Sequence, residues 1–139
     1  MWGIGKTRFS LFGNITFLIT ENFFHELDDN LYLLDFILSA AGANVLKATS
    51  GKAAIEMADT YKNIDIVLMD IKMPEMDGYT ATDEIHRIRP GLPVIAQTAF
   101  AMPGDREKAL EKGCVAYLPK PIKKNELLEL LQQLFSKTG

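Results

Sequence analysis

The 139-residue chain predicts an α/β fold: a five-stranded parallel sheet with helices on both faces. Three observations carry this. Short apolar runs alternate with helix-period segments along the chain. The run Ile64-Asp65-Ile66-Val67-Leu68-Met69 is nearly continuously apolar, as in a strand covered on both sides. Asp70, Thr98 and Lys120 each stand at or just past the end of a strand candidate, the edge where an open α/β sheet collects its chemistry.

Residues 15–20 read as the first strand, after an irregular extension over residues 1–14. Residues 30–41 read as a helix with Leu34, Ile37, Leu38 and Ala41 on one face, stopped by Gly42. A short strand over 44–48 precedes a helix over 51–60 with Ala54, Ile55 and Ala58 inward. After the strand 64–69 comes a helix over 79–88, with Ala81, Ile85 and Ile88 in register. The next strand is 93–97. The helix 103–112 has Pro103 in its first turn and Gly113 beyond its end. The last strand is 115–118. The last helix is 123–137, with Leu127, Leu130, Leu131 and Leu134 as its core stripe. Strict alternation of strand and helix implies right-handed crossovers.

Composition narrows the function. A net charge of -3 and a pI near 5.4 argue against a nucleic-acid surface. One cysteine, Cys114, allows no internal disulfide and no Cys-based zinc site; beside Val115 and Ala116 it reads as core packing. No run reaches the ~18 apolar residues of a membrane helix, and the glycine-interrupted start lacks a signal-peptide layout. The expected location is the cytoplasm. Gly3-Ile4-Gly5-Lys6-Thr7 imitates the tail of a phosphate-binding loop, but no strand and no earlier glycine precede it. His25 and His86 read as surface residues, and Glu75 and Asp77 as a solvated loop.

A carboxylate at the tip of a buried strand can be a nucleophile toward phosphorus or a ligand for a hard cation. As nucleophile, Asp70 would form an aspartyl phosphate. The surrounding work is then positioning and charge neutralisation. Thr98 can donate its hydroxyl to one phosphoryl oxygen, and the Lys120 ammonium can pair with another. Mg²⁺ suits the remaining charge, with Asp70 and the backbone carbonyl of Lys72 as oxygen ligands and at least one more acid from another strand end. A dehalogenase-type phosphatase needs a second Asp two residues after the nucleophile; Lys72 stands there instead.

Several motifs, in order and properly spaced, now point one way. They are Gly42-Ala43-Asn44-Val45 through Gly51-Lys52-Ala53-Ala54-Ile55, then Leu68-Met69-Asp70 with Met73-Pro74-Glu75-Met76-Asp77-Gly78. Pro93-Val94-Ile95-Ala96-Gln97-Thr98-Ala99 follows, then Gly113-Cys114 and Tyr117-Leu118-Pro119-Lys120-Pro121. From about residue 25 to 137 the chain resembles the receiver domain of two-component response regulators, particularly receivers joined to hybrid sensor histidine kinases. The resemblance implies a flavodoxin-like fold with strand order 2-1-3-4-5, and a receiver spanning 15–139. It implies that Asp70 accepts a phosphoryl group from a phosphohistidine of a sensor kinase or phosphotransfer protein, with Thr98 and Lys120 on the phosphoryl oxygens. Tyr117 matches the aromatic switch position that follows the Thr98 hydroxyl. The face built from 103–137 is then the output surface, open to self-association or a partner. A proline directly after Lys120 suggests a cis Lys120-Pro121 bond.

The family also places two adjacent acids at the tip of the first strand to hold Mg²⁺. Counting back from Gly42 and Asn30 puts that pair at His25-Glu26, with histidine a poor Mg²⁺ ligand. Asp28-Asp29-Asn30 imitates the motif but shortens the first helix. Glu21-Asn22 follows the best strand but requires inserted residues. The reading adopted pairs 15–20 into the sheet and puts Glu26 with Asp28 or Asp29 nearest the metal. The abrupt loss of resemblance before about residue 28 also raises a non-native origin for that segment. Two functions follow: a phosphorylation-switched receiver, or a pseudo-receiver that keeps the fold as an interaction module after losing Mg²⁺-dependent phosphorylation.

Overall fold

The structure, a computed structural model, describes residues 12–20, 30–73, 75–99 and 101–136. Five strands, β1 (Thr16–Thr20), β2 (Asn44–Ala48), β3 (Ile66–Asp70), β4 (Val94–Thr98) and β5 (Ala116–Pro119), form one sheet in the order β2-β1-β3-β4-β5. All pairs are parallel. The intervening helices are α1 (Asn30–Ala40), α2 (Gly51–Thr60), α3 (Gly78–Ile88), α4 (Asp105–Glu111) and α5 (Lys124–Ser136). No helix among the described residues is long and apolar enough to cross a membrane.

The two-residue period of the strands divides the core. Phe17, Ile19, Ile66, Leu68 and Ile95 face one side, under Leu34, Ile37 and Leu38 of α1 and Leu127 and Leu131 of α5. Leu18, Val67, Met69, Val94 and Ala96 face the other, under α2, α3 and α4. That second side is lined with small residues, Ala54, Ala58, Ala81 and Ala109, all fully buried, which let three helices lie close to the sheet.

The chain ahead of β1 joins the first core. Phe12 is buried, its N–H donates to Ala41 O at 2.9 Å, and Ile15 N–H returns to Phe12 O at 3.1 Å. Asn14 takes φ 71°, a left-handed position that asparagine tolerates. The Phe12 ring lies 6.1 Å from Phe17 and 5.9 Å from Phe135 of α5, and Phe17 and Phe135 meet edge to face at 6.2 Å. An aromatic triad thus ties the entrance of the central strand to the last helix.

The structure moves several expected boundaries. β3 begins at Ile66, because Asp65 is spent outside the strand: its N–H donates to Thr16 O and its carboxylate accepts from Thr16 N–H, both at 2.8 Å. β3 and β4 each run one residue further than expected, so Asp70 and Thr98 are the final residues of their strands. Pro103 lies outside α4, whose N-cap is Gly104 at φ 88°. Asp77 is not a solvated loop residue: its Oδ1 accepts from Tyr79 N–H and Thr80 N–H, both at 2.9 Å, and caps α3. Ile88, at the end of α3, is exposed rather than inward. His86 is half-buried, with Nε2 2.9 Å from Leu92 O, not a surface residue.

The aromatic triad makes a testable claim. Phe12→Ala should cost about 3–5 kcal/mol in urea unfolding, whereas Phe36→Ala, on an exposed side chain of α1, should stay within about 0.5 kcal/mol. Equal effects would show that the segment before β1 adds nothing to the core.

Candidate functional site

Asp70 ends β3 and is 3% exposed. Its backbone N–H donates to the Thr20 hydroxyl at 2.7 Å, at the tip of the neighbouring β1. That hydroxyl lies 3.4 Å from Leu68 O, to which it donates. The side chain is held at both oxygens: Oδ1 accepts from Lys72 N–H at 3.0 Å, and Oδ2 pairs with Lys120 Nζ at 3.0 Å. Both side chains of the ion pair are largely buried, so each charge depends on the other in place of water.

Lys120 reaches this position from just beyond β5. Its N–H donates to Thr98 O at 2.7 Å, which joins the exit of β5 to the tip of β4, and the Lys120-Pro121 peptide is cis as expected. Thr98 is buried at the same edge. Asp70 stands opposite Gln97 in the β3–β4 ladder, and Ile71 N–H donates to Gln97 O at 3.0 Å. Three separate segments therefore converge, as their placement in the sequence implied.

Glycine 78 sets the far wall. A Cβ there would lie 2.4 Å from Asp70 O and 2.9 Å from Ile71 Cα, both backbone atoms. Only glycine allows the first residue of α3 to sit against the tip of β3, where its N–H donates to Ile71 O at 3.0 Å. Beside this wall a cleft of about 170 Å³ is lined by Lys72, Asp77, Tyr79, Thr98, Asp105, Lys108 and Tyr117. Tyr117 is half-buried, and burial with the nearby Asp105 carboxylate raises its phenol pKa. Tyr79 is also raised, chiefly by burial, and Lys108 Nζ lies 5.4 Å from its ring centroid.

Among the candidates read from the sequence, Asp70, Lys72 and Lys120 are in direct contact, Thr98 joins them through its carbonyl, and Tyr117 shares a cleft with Thr98. Glu26, Asp28 and Asp29, and the alternatives His25 and Glu21, lie outside the described residues. Among the described residues no three His, Cys, Asp or Glu side chains cluster as a metal site. Cys114 is a free buried thiol, pushed up to about 11 by burial, which keeps it protonated and unreactive at neutral pH.

Thr20 is the site residue that sequence reasoning missed. Its signal was a hydroxyl at the last position of an apolar strand. The contact with Asp70 N–H becomes visible only once β1 and β3 are neighbours.

Residues 26–132 match the response regulator receiver domain family. The chain is 36% identical over 109 residues to the polar-differentiation response regulator DivK of Brucella anthropi, covering 74% of this chain and 85% of that protein. It is similar to the receiver domain of the sensor histidine kinase PA1611 from Pseudomonas aeruginosa, solved with a magnesium ion coordinated in its active-site cleft. That likeness has 35% identity and a TM-score of 0.74, over 86% of this chain and 95% of that one. A two-component response regulator from Clostridium difficile shares the fold at a TM-score of 0.79 and 22% identity, over 90% of this chain and 98% of that one.

Replacing Thr20 tests its support of the acceptor. Thr20→Val leaves the buried Asp70 N–H without an acceptor and should cost about 1–3 kcal/mol in chemical denaturation. Thr20→Ser, which keeps the oxygen, should recover most of that loss. Equal losses would assign the effect to packing.

Proposed function

The chain belongs to the response regulator receiver domain family, and from that premise we propose that Asp70 is the phosphoacceptor of a two-component phosphorelay. The carrying observation is the arrangement at Asp70, a nearly buried carboxylate with one oxygen on the Lys120 ammonium and the other on a backbone N–H. In the proposed step a carboxylate oxygen of Asp70 attacks the phosphorus of a phosphohistidine on a sensor kinase or phosphotransfer protein. The P–N bond breaks, and the imidazole nitrogen keeps its electron pair and is left as neutral or protonated histidine. The Lys120 ammonium neutralises charge on the transferred group, and the Thr98 hydroxyl donates to one of its oxygens.

The described donors, one carboxylate with strand-end carbonyls, are hard oxygen ligands and suit Mg²⁺. Asp70 and the Lys72 carbonyl would hold it, completed by Glu26 with Asp28 or Asp29. When bound, the ion offsets the negative charge of the phosphoryl oxygens. The similarity to the receiver of a sensor histidine kinase supports a hybrid-kinase setting, and a cytoplasmic location follows from a kinase donor. The receiver unit proposed is 15–139, with 103–137 as the face that changes its self-association or partner.

A second reading has its own observation. The tip of β1 carries the neutral Thr20, and no further acid among the described residues joins Asp70. This favours a pseudo-receiver, an interaction module that phosphorylates poorly.

Incubation with Mg²⁺ and acetyl phosphate, read by intact mass, separates the two. The expected result is one phosphoryl group on the wild type and none on Asp70→Asn. Thr98→Val should slow the transfer by roughly 10²-fold, the scale of losing one donor to developing charge. A wild type that gains no adduct, and whose amide spectrum ignores Mg²⁺, would assign the chain to the pseudo-receivers.

A further inference from the structure

We propose that the Asp105 carboxylate is a latch that holds Tyr117 away from the space beside Thr98 and sets how readily the receiver switches. The inference deepens the phosphoacceptor reading and rests on it for its functional consequence, though not for its structural one.

Asp105 opens α4 and serves two partners with one oxygen. Its Oδ2 accepts from Met102 N–H at 2.8 Å, which closes the turn before the helix, and from the Tyr117 hydroxyl at 3.5 Å. The first bond fixes the carboxylate locally, because α4 has no side-chain cap of its own at Gly104. The second reaches across to β5 and fixes the end of the tyrosine. A carboxylate already held by the backbone loses little freedom in accepting the phenol.

The position of the ring matters because of what lies beside it. The cleft between Thr98, Tyr79 and Tyr117 encloses about 170 Å³. A protein cavity of about 150 Å³ is large enough for benzene. The Tyr117 ring therefore has an open space of its own size next to the Thr98 side chain and is kept out of it by its hydroxyl. Moving into that space breaks the contact with Asp105. The latch thus stabilises one of two arrangements, and a group that draws the Thr98 hydroxyl toward Asp70 has to work against it. The contact is long for an O–H···O bond, so the bias it imposes is small. A small bias suits a switch that a single phosphoryl group must overturn.

Removing the latch should raise the apparent affinity for beryllofluoride with Mg²⁺ by roughly three- to tenfold, because less free energy is then spent on the shift. Asp105→Ala also breaks the Met102 turn, so Tyr117→Phe serves as the second variant; it removes only the hydroxyl and leaves that turn intact. Both should raise the affinity, and Asp105→Ala should add nothing further in the Tyr117→Phe background. Side-chain scalar couplings of Tyr117, measured without any phosphoryl analogue, supply an independent readout: one rotamer in the wild type, averaging in Asp105→Ala. A single unchanged rotamer in Asp105→Ala overturns the latch. So does unchanged affinity in both variants of a wild type that binds beryllofluoride. If the wild type binds none while Asp105→Ala frees the ring, the phosphoacceptor reading fails and the latch stands.

Discussion

Because Ile19 lies opposite Leu68 and Asp70 lies opposite Gln97, the tips of β1, β3 and β4 finish together at one edge of the sheet. Side chains alternate faces with a period of two, so a slip of one residue would turn every core side chain of β3 toward the opposite helix layer. The register is locked from both ends. At the entrance, Asp65 exchanges two hydrogen bonds with Thr16. At the exit, the Thr20 hydroxyl takes the Asp70 N–H and Ile71 N–H takes Gln97 O. The reacting carboxylate inherits its position from this ladder, with no dedicated loop required.

Given that position, the ion pair with Lys120 becomes intelligible. Two mostly buried charges stabilise a fold poorly, because desolvation offsets much of their attraction. Their arrangement serves chemistry better. Lys120 keeps Asp70 ionised in a place where water is scarce, and its ammonium stands ready for the negative charge that phosphoryl transfer brings. The Thr98 carbonyl holds the Lys120 backbone, so the acceptor, the hydroxyl and the counter-charge are joined by one chain of hydrogen bonds.

Much of this was legible in the sequence for specific reasons. The apolar run before Asp70 could only be a doubly covered strand, and strand-end polar residues mark the functional edge of such a sheet. Features made by distant contacts were not legible. Phe12 and Asn14 read as part of an irregular extension, because their role depends on Phe135 in the last helix. Asp77 was missed although an Asp before a helical pattern is a capping signal; the surrounding acidic loop hid it. Pro103 suggested the start of a helix one turn too early, because the left-handed Gly104 that reverses the chain has no signature beyond being glycine.

The remaining tension concerns where the first strand falls. The family match begins at residue 26, whereas β1 is Thr16–Thr20 and pairs with both β2 and β3. The two observations respond to different physics. A central strand needs an apolar, β-prone segment that buries both faces, and all five residues of β1 are buried. A sequence match responds to residues placed at family spacing, and it picks up the chain at Glu26. The strand requirement governs the fold, since without β1 the edges of β2 and β3 would face each other unpaired. The acid requirement governs only the metal. The structure therefore builds acceptor, hydroxyl and counter-charge into the sheet itself, and leaves the anionic part of the cation site to chain between β1 and α1. Phosphoacceptor strength in this receiver is divided accordingly: Asp70, Thr98 and Lys120 are secured by backbone pairing, and the acids that would complete the site are set by a segment that the ladder does not hold.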